Sequence, residues 1–229
     1  MLPIVLCILV VVAIRGCAMY FNWKREKERS KSYAQLAQRL GLAFVTESNG
    51  DIQNRLQRFQ LFSRGRWRNA RNVMTAETDG VTMTLMDYRF TTGGGKRTKH
   101  HKHSVIIFES DILNLPSFSI KPQGLLDRIG NLIGFQDINF EDHKAFSDAF
   151  VLKGENEPSI RAFFHPEIMD AILQHKDKSL ECQPGVFLLH QRRVIAVDQA
   201  ESFLAEAYRI FDLFTDRANA QGKTKTNTL

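Results

Sequence analysis

The sequence predicts an α+β protein: an N-terminal transmembrane helix, one mainly antiparallel sheet domain with helices packed on it, and a long C-terminal helix. Three observations lead there. The stretch LPIVLCILVVVAI, Leu2 to Ile14, carries no charge and precedes the basic run KREKER from Lys24 to Arg29. The middle of the chain alternates short apolar runs with turn signals, among them Asp79-Gly80, a strong two-residue hairpin signal. Near the end, Phe203, Leu204, Ala207, Ile210, Phe211 and Phe214 share one helical face. The helices that separate strands are too irregular for a doubly wound parallel sheet, which favours antiparallel meanders.

Over residues 2–23, counting through Trp23 gives a segment of roughly 33 Å at about 1.5 Å per residue, close to the hydrocarbon thickness. Arg15 must then snorkel to the headgroups, with Tyr20, Phe21 and Trp23 in the aromatic belt. Two rival readings are weaker. A lipoprotein signal would modify Cys17 but places Arg15 two residues before it, and a cleaved signal lacks a basic start. After the span, Lys24, Arg25, Lys27, Arg29 and Lys31 outweigh Glu26 and Glu28, so the positive-inside rule expects a single-pass cell-membrane protein with its C-terminal domain in the cytoplasm.

Four segments are expected: an anchor over 1–23, a juxtamembrane helix over 24–41, an α+β domain over 42–217 and a disordered tail over 218–229. The 229 residues are 43% hydrophobic and 24% charged, which excludes a disordered chain. Seventeen Phe residues predict an aromatic-rich core. Cys182 alone lies in the domain, so no internal disulfide is available there.

Tyr33, Leu36, Ala37 and Leu40 repeat at helical spacing and Gly41 suits a C-cap. Leu42–Thr46 reads as a strand, and Asp51 opens a brief helix running to Phe59. Strands are expected over 59–63, 72–78, 81–90, 104–109, 118–121 and 146–152. Helices are expected over 124–132, 159–164 and 166–175, the last with Pro166 in its first turn. Residues 186–190 and 194–197 read as a final hairpin turning at Gln191-Arg192-Arg193, before a helix from about Asp198 to Arg217.

No catalytic constellation stands out. Lys99-His100-His101-Lys102-His103 offers three imidazoles, but neighbouring cations oppose a metal ion and neither Cys nor carboxylate lies at ligand spacing, so a mobile basic hairpin loop is expected. Gly93-Gly94-Gly95-Lys96 lacks the outer Gly and Lys-Ser/Thr ending of a phosphate loop. Cys182 has no nucleophile signature around it. The broadest feature is basic: Arg64, Arg66, Arg68 and Arg71 surround Trp67, and with Arg89, Lys96, Arg97, Lys99 and Lys102 they make a candidate face of a charge that suits anionic lipid or nucleic acid. Residues 137–157 are acidic, which leaves a protein partner equally open. No cofactor, catalytic or metal-ligating residue is expected, and no nucleic-acid motif is present.

Ile138-Asn139-Phe140-Glu141-Asp142, Phe146-Ser147, Phe150-Val151-Leu152, Ile160-Arg161-Ala162-Phe163-Phe164 and Pro166-Glu167-Ile168-Met169 together resemble a bacterial family of membrane-anchored domains of unknown function. Phe62, Gly65, Asn72-Val73, Asp87-Tyr88 and Leu115-Pro116-Ser117-Phe118 extend the resemblance over roughly residues 35 to 210. It implies a bacterial membrane-associated protein and no catalytic residues. The function expected is therefore a membrane-tethered, non-enzymatic interaction domain that contacts anionic lipid or a protein through basic loops. The alternative is a hydrolase or metal-dependent enzyme built on His100, His101 and His103.

Overall fold

The computed structural model describes residues 2–125 and 136–226. An eight-stranded, wholly antiparallel sheet organises them, in the order β1-β2-β3-β4-β8-β7-β5-β6. The strands are β1 Ala43–Glu47, β2 Arg66–Thr78, β3 Val81–Thr92, β4 Lys99–Glu109, β5 Phe118–Pro122, β6 Phe150–Gly154, β7 Lys178–Gln183 and β8 Val186–Gln191. The helices are α1 Leu2–Leu40, α2 Asp51–Arg55, α3 Gln60–Ser63, α4 Lys144–Ala149, α5 Glu157–Phe163, α6 Pro166–Leu173 and α7 Ala200–Thr226. The α+β reading with an antiparallel sheet holds.

The transmembrane reading does not. Among the described residues no helix is long and apolar enough to cross a membrane. The uncharged run from Leu2 to Ile14 gives only about 20 Å of helix, against roughly 30 Å of hydrocarbon. Extending it brings in Arg15, Asn22 and then Lys24. The anchor over residues 1–23, the membrane contact through residues 2–23 and the single-pass cell-membrane placement are corrected accordingly. Residues 2–40 are instead one continuous helix of 39 residues. Leu9 to Arg25 are exposed, and burial begins only where Glu26, Arg29, Tyr33, Leu36 and Ala37 meet the sheet.

Strand periodicity divides the core in two. On one face Met83, Leu85, Ile106, Phe108, Ile120, Phe187 and Leu189 pack under α1 and α4–α7. Phe214 of α7 lies within 6.5 Å, ring centre to ring centre, of Phe118, Phe163, Phe164 and Phe187, which explains the expected aromatic core. On the other face Met86, Tyr88, Phe90, Val105, Ile107 and Leu188 pack under Leu56, Phe59, Leu61 and Phe62, contributed by the α2–α3 segment. This second core is smaller, and beyond it the same face turns polar.

Several local readings change. Residues 60–63 form α3 rather than a strand. Residues 144–149 are helical, so the strand expected from Phe146 starts at Phe150. β8 pairs with β7 across Pro184-Gly185, while residues 194–197 join no sheet ladder. Instead the Ile195 N–H donates to Ser104 Oγ at 3.0 Å. Helix α7 continues through Thr226, into the segment expected to be a disordered tail. The helix expected over 124–132 lies mostly outside the described residues. At the β2–β3 turn Asp79 and Gly80 both have positive φ, 52° and 74°, as a two-residue turn of the predicted kind requires.

Candidate functional site

Strand β2 carries two register breaks, one between Arg66 and Asn69 and one between Arg71 and Met74. Each contains a non-glycine residue at φ 52°, Trp67 and Asn72 respectively. Bulges of this kind re-aim side chains. Asn72 turns inward. Its Nδ2 donates to Asp87 Oδ2 at 2.7 Å, and its Oδ1 accepts from Ser30 Oγ at 2.6 Å. Asp87, fully buried, also receives Arg29 through two hydrogen bonds, Nε at 2.7 Å and Nη2 at 2.9 Å. Burial alone would lower the Arg29 pKa, but the hydrogen bond and charge of Asp87 outweigh it and raise the value. Burial likewise pushes the Tyr33 phenol, 3.2 Å from Arg29, above its ordinary range. One turn earlier, Glu26 accepts twice from Arg89 Nη2, at 2.6 and 2.7 Å. These contacts clamp α1 to the sheet.

Trp67 turns outward and is 71% exposed. The Arg66 guanidinium lies over its ring at 4.7 Å. The register pairs Arg66 with Thr91, and Thr92 with Lys99. The start of β2, the end of β3 and the start of β4 therefore share one end of the sheet. Of the basic residues singled out in the sequence, Arg64, Arg66, Arg68, Lys96, Arg97, Lys99 and Lys102 gather toward this end. Arg71 sits further along, paired in register with Asp87 and with Glu47 of β1. Arg68 is turned back to donate to the Phe62 carbonyl. Gly65 enables the tight entry into β2: at φ +68°, a Cβ there would come within 2.5 Å of the Thr91 carbonyl oxygen.

The histidine run is part of β4, not a mobile loop, and strand alternation splits it. His100 meets Thr91 Oγ1 at 3.1 Å. His101 and His103 point the other way and stack on Phe90, with ring centres 4.6 and 5.5 Å from it. His103 Nδ1 then lies 3.2 Å from His190 Nδ1, a contact between residues 87 positions apart that no local motif signals. His190 Nε2 is buried with no hydrogen-bond partner, and Glu181 Oε1 is 3.9 Å away. Burial above all, then the charges of His103, Lys121, Arg192 and Arg64, pushes His190 well below the usual imidazole pKa. Burial raises Glu181, although its carboxylate accepts the N–H groups of Gln60 and Leu61 at 2.6 and 3.1 Å. Burial, with Glu181 beside it, also holds the Cys182 thiol well above its ordinary pKa, which keeps it protonated and unreactive. Among the described residues no group of three or more His, Cys, Asp or Glu is placed to hold a metal ion.

Two hollows lie on this polar part of the sheet and share Gln60 and Glu181 in their walls. The smaller, about 20 Å³, is lined by His101, His103, His190, Arg64, Lys121 and Arg192. The larger, about 200 Å³, is lined by Arg58, Ser117, Ser119, Lys153, Glu155 and Cys182 among others. The sequence signalled neither, because their walls come from seven separated segments of the chain.

No protein-family model matches the chain, and no curated protein matches it. Among solved structures, the chain is similar to the mycobacterial trehalose monomycolate transport factor A, TtfA, with a TM-score of 0.58 and 13% identity over 84% of this chain and 93% of that one. At that identity the likeness is one of fold, and it spans nearly the whole of both chains.

Proposed function

We propose that the protein is a non-enzymatic interaction module that contacts anionic lipid through the basic end of its sheet, with Arg64, Arg66, Trp67, Arg68, Lys96, Arg97, Lys99 and Lys102 as the contact set and Arg71 behind them. The observation that carries this reading is Trp67. A large aromatic side chain held in solvent on a strained backbone, under an arginine, is costly to the fold and gains nothing from its core. Such a ring suits a lipid–water interface, where an amphipathic indole sits at headgroup depth. Each basic residue brought to an anionic surface contributes about 1 kcal/mol. A fold shared with a trehalose monomycolate transport factor is compatible with a lipid-contacting role.

The test is co-sedimentation of the full chain with phosphatidylcholine vesicles, with and without phosphatidylserine. Binding should require phosphatidylserine, weaken with salt and drop at least tenfold in the variant R66E/K96E/R97E. Equal binding to both vesicle types, or an unaffected variant, sinks the proposal. Retained capture of a protein by the variant would then favour a protein partner on another face.

A further inference from the structure

We propose that β1, the open edge of the sheet, pairs antiparallel with β1 of a second copy of this chain about a two-fold axis at Val45. This contact is independent of the lipid surface at Trp67.

The two edges of the sheet are treated differently. At the β6 edge the chain covers itself: the Ile138 N–H donates to the Leu152 carbonyl at 2.9 Å, and Phe150, Val151 and Leu152 are buried. At the β1 edge Ala43, Val45, Thr46 and Glu47 are exposed, Val45 by 52%. Its sequence, AFVTE, holds no Lys and no Pro, and its pairing with β2 runs without a bulge. Apart from its shortness, β1 therefore lacks the devices that keep an edge from pairing. One open edge and one covered edge also set the size of the assembly. Edge pairing closes at two copies and cannot grow into a filament.

The backbone gives the register. The Ser48 N–H donates to the Ala70 carbonyl of β2 at 3.0 Å. Inward and outward groups alternate along an antiparallel strand, so residues 44 and 46 also bond toward β2. Ala43, Val45 and Glu47 turn their N–H and C=O groups outward. These three are symmetric about Val45. Pairing Val45 with its copy, and each Ala43 with the other Glu47, uses all of them in about six main-chain hydrogen bonds. The two Val45 side chains then stand opposite each other on one face, a favourable β-branched pair.

Charge selects the antiparallel arrangement and a partner of this kind. The strand carries a single charge, Glu47 at its C-terminal end. Its other end follows the last turn of α1, where Arg39 is exposed and its one ion pair, to Glu201, is a surface pair. Antiparallel pairing brings each carboxylate to the end of the neighbour that carries the cation. Parallel pairing would set the two carboxylates side by side.

The test is cross-linking of the full chain in a C7S/C17S background, since Cys182 is buried. Paired Val45 residues stand about 5.5 Å apart at Cα, within disulfide reach. V45C should form a disulfide dimer under mild oxidation, at least tenfold faster than A43C. Ala43 is on the same face and also exposed, but it lies four residues from its own copy, roughly 13 Å. Equal rates would report random collision or association through the α1 arm, and would overturn the proposal. Light scattering of the unmodified chain up to about 500 μM should show a monomer–dimer equilibrium, as suits a small interface. V45P removes only an outward N–H, so it should keep the melting temperature and weaken the dimer at least tenfold. V45K, which sets two ammonium groups face to face, should do the same and serves if V45P does not fold. A chain that stays monomeric, or a dimer that a folded V45P or V45K leaves intact, overturns the pairing.

Discussion

Strand β2 makes the same backbone departure twice, and the two sites use it in opposite ways. At Asn72 the left-handed conformation aims an amide at Asp87 and Ser30, and the resulting hydrogen bonds, inside a site closed by Arg29, offset the strain. At Trp67 the same φ aims an indole into solvent, where a cation over the ring is its chief company. Asn is also a residue that tolerates this conformation, whereas a bulky aromatic does not. The inner bulge is therefore explained by the fold, and the outer one requires something outside it.

The comparison can be broken most forcefully at Asp87. D87A leaves Arg29 and Asn72 without their shared acceptor, and it should cost about 3–5 kcal/mol in chemical denaturation. Amide exchange over residues 26–37 should accelerate with it, as α1 loses its clamp. A loss below about 1 kcal/mol would mean that apolar packing of Tyr33, Leu36 and Ala37 alone holds the helix. The next effect is N72G. Glycine relieves the strained φ but discards two hydrogen bonds, and the net change should be a loss of about 1–2 kcal/mol. The mirror substitution W67G should have the opposite sign, stabilising by up to about 1 kcal/mol while weakening binding to phosphatidylserine vesicles. If W67G destabilises the protein as N72G does, the outer bulge is structural after all.

The smallest effect belongs to the far side of the sheet and is read by pH. His190 is held neutral in the fold, its pKa well below the unfolded value of 6.5. The unfolded chain therefore binds the extra proton first, and stability is lost as pH falls below 6.5. Glu181 works in reverse, because its raised pKa makes the folded state the better proton acceptor as pH falls toward 4.5. H190N removes only the first contribution. Its stability relative to the parent should rise as pH drops below 6.5, in denaturation curves compared pairwise across that range. A constant difference would show that His190 does not titrate differently in the two states.

What could be read from the sequence follows from the range over which each signal acts. The Asp79-Gly80 turn, α7 and the α5–α6 pair depend on local chemistry and periodicity, and each was legible. Helix α3 was not: QLFS is an apolar scrap fixed as a helical turn by the burial of Leu61 and Phe62 against the sheet and by the Glu181 carboxylate, 120 residues away. Strand β7 was hidden for a related reason. KSLECQ alternates, but Ser179 and Glu181 face a polar groove rather than open solvent, so its outward residues are buried too. The basic end was readable because its residues cluster in sequence. The pairing of His103 with His190 was not, since it exists only once β4 pairs with β8, and three other strands lie between those two in sequence. The anchor was misread because apolar length was counted through Arg15.

The two halves of α1 have a mechanical consequence. A single helix without a break is a stiff rod. Residues 26–40, about 22 Å, are fastened to the sheet, while residues 2–25 form an arm of about 36 Å. A sideways load on the arm is therefore multiplied at its fulcrum, and the fulcrum is the Arg29–Asp87 pair at 2.7 Å with Glu26–Arg89 beside it. Whatever grips the free end acts through leverage on the middle of β3, the strand whose end carries Phe90 and the basic turn.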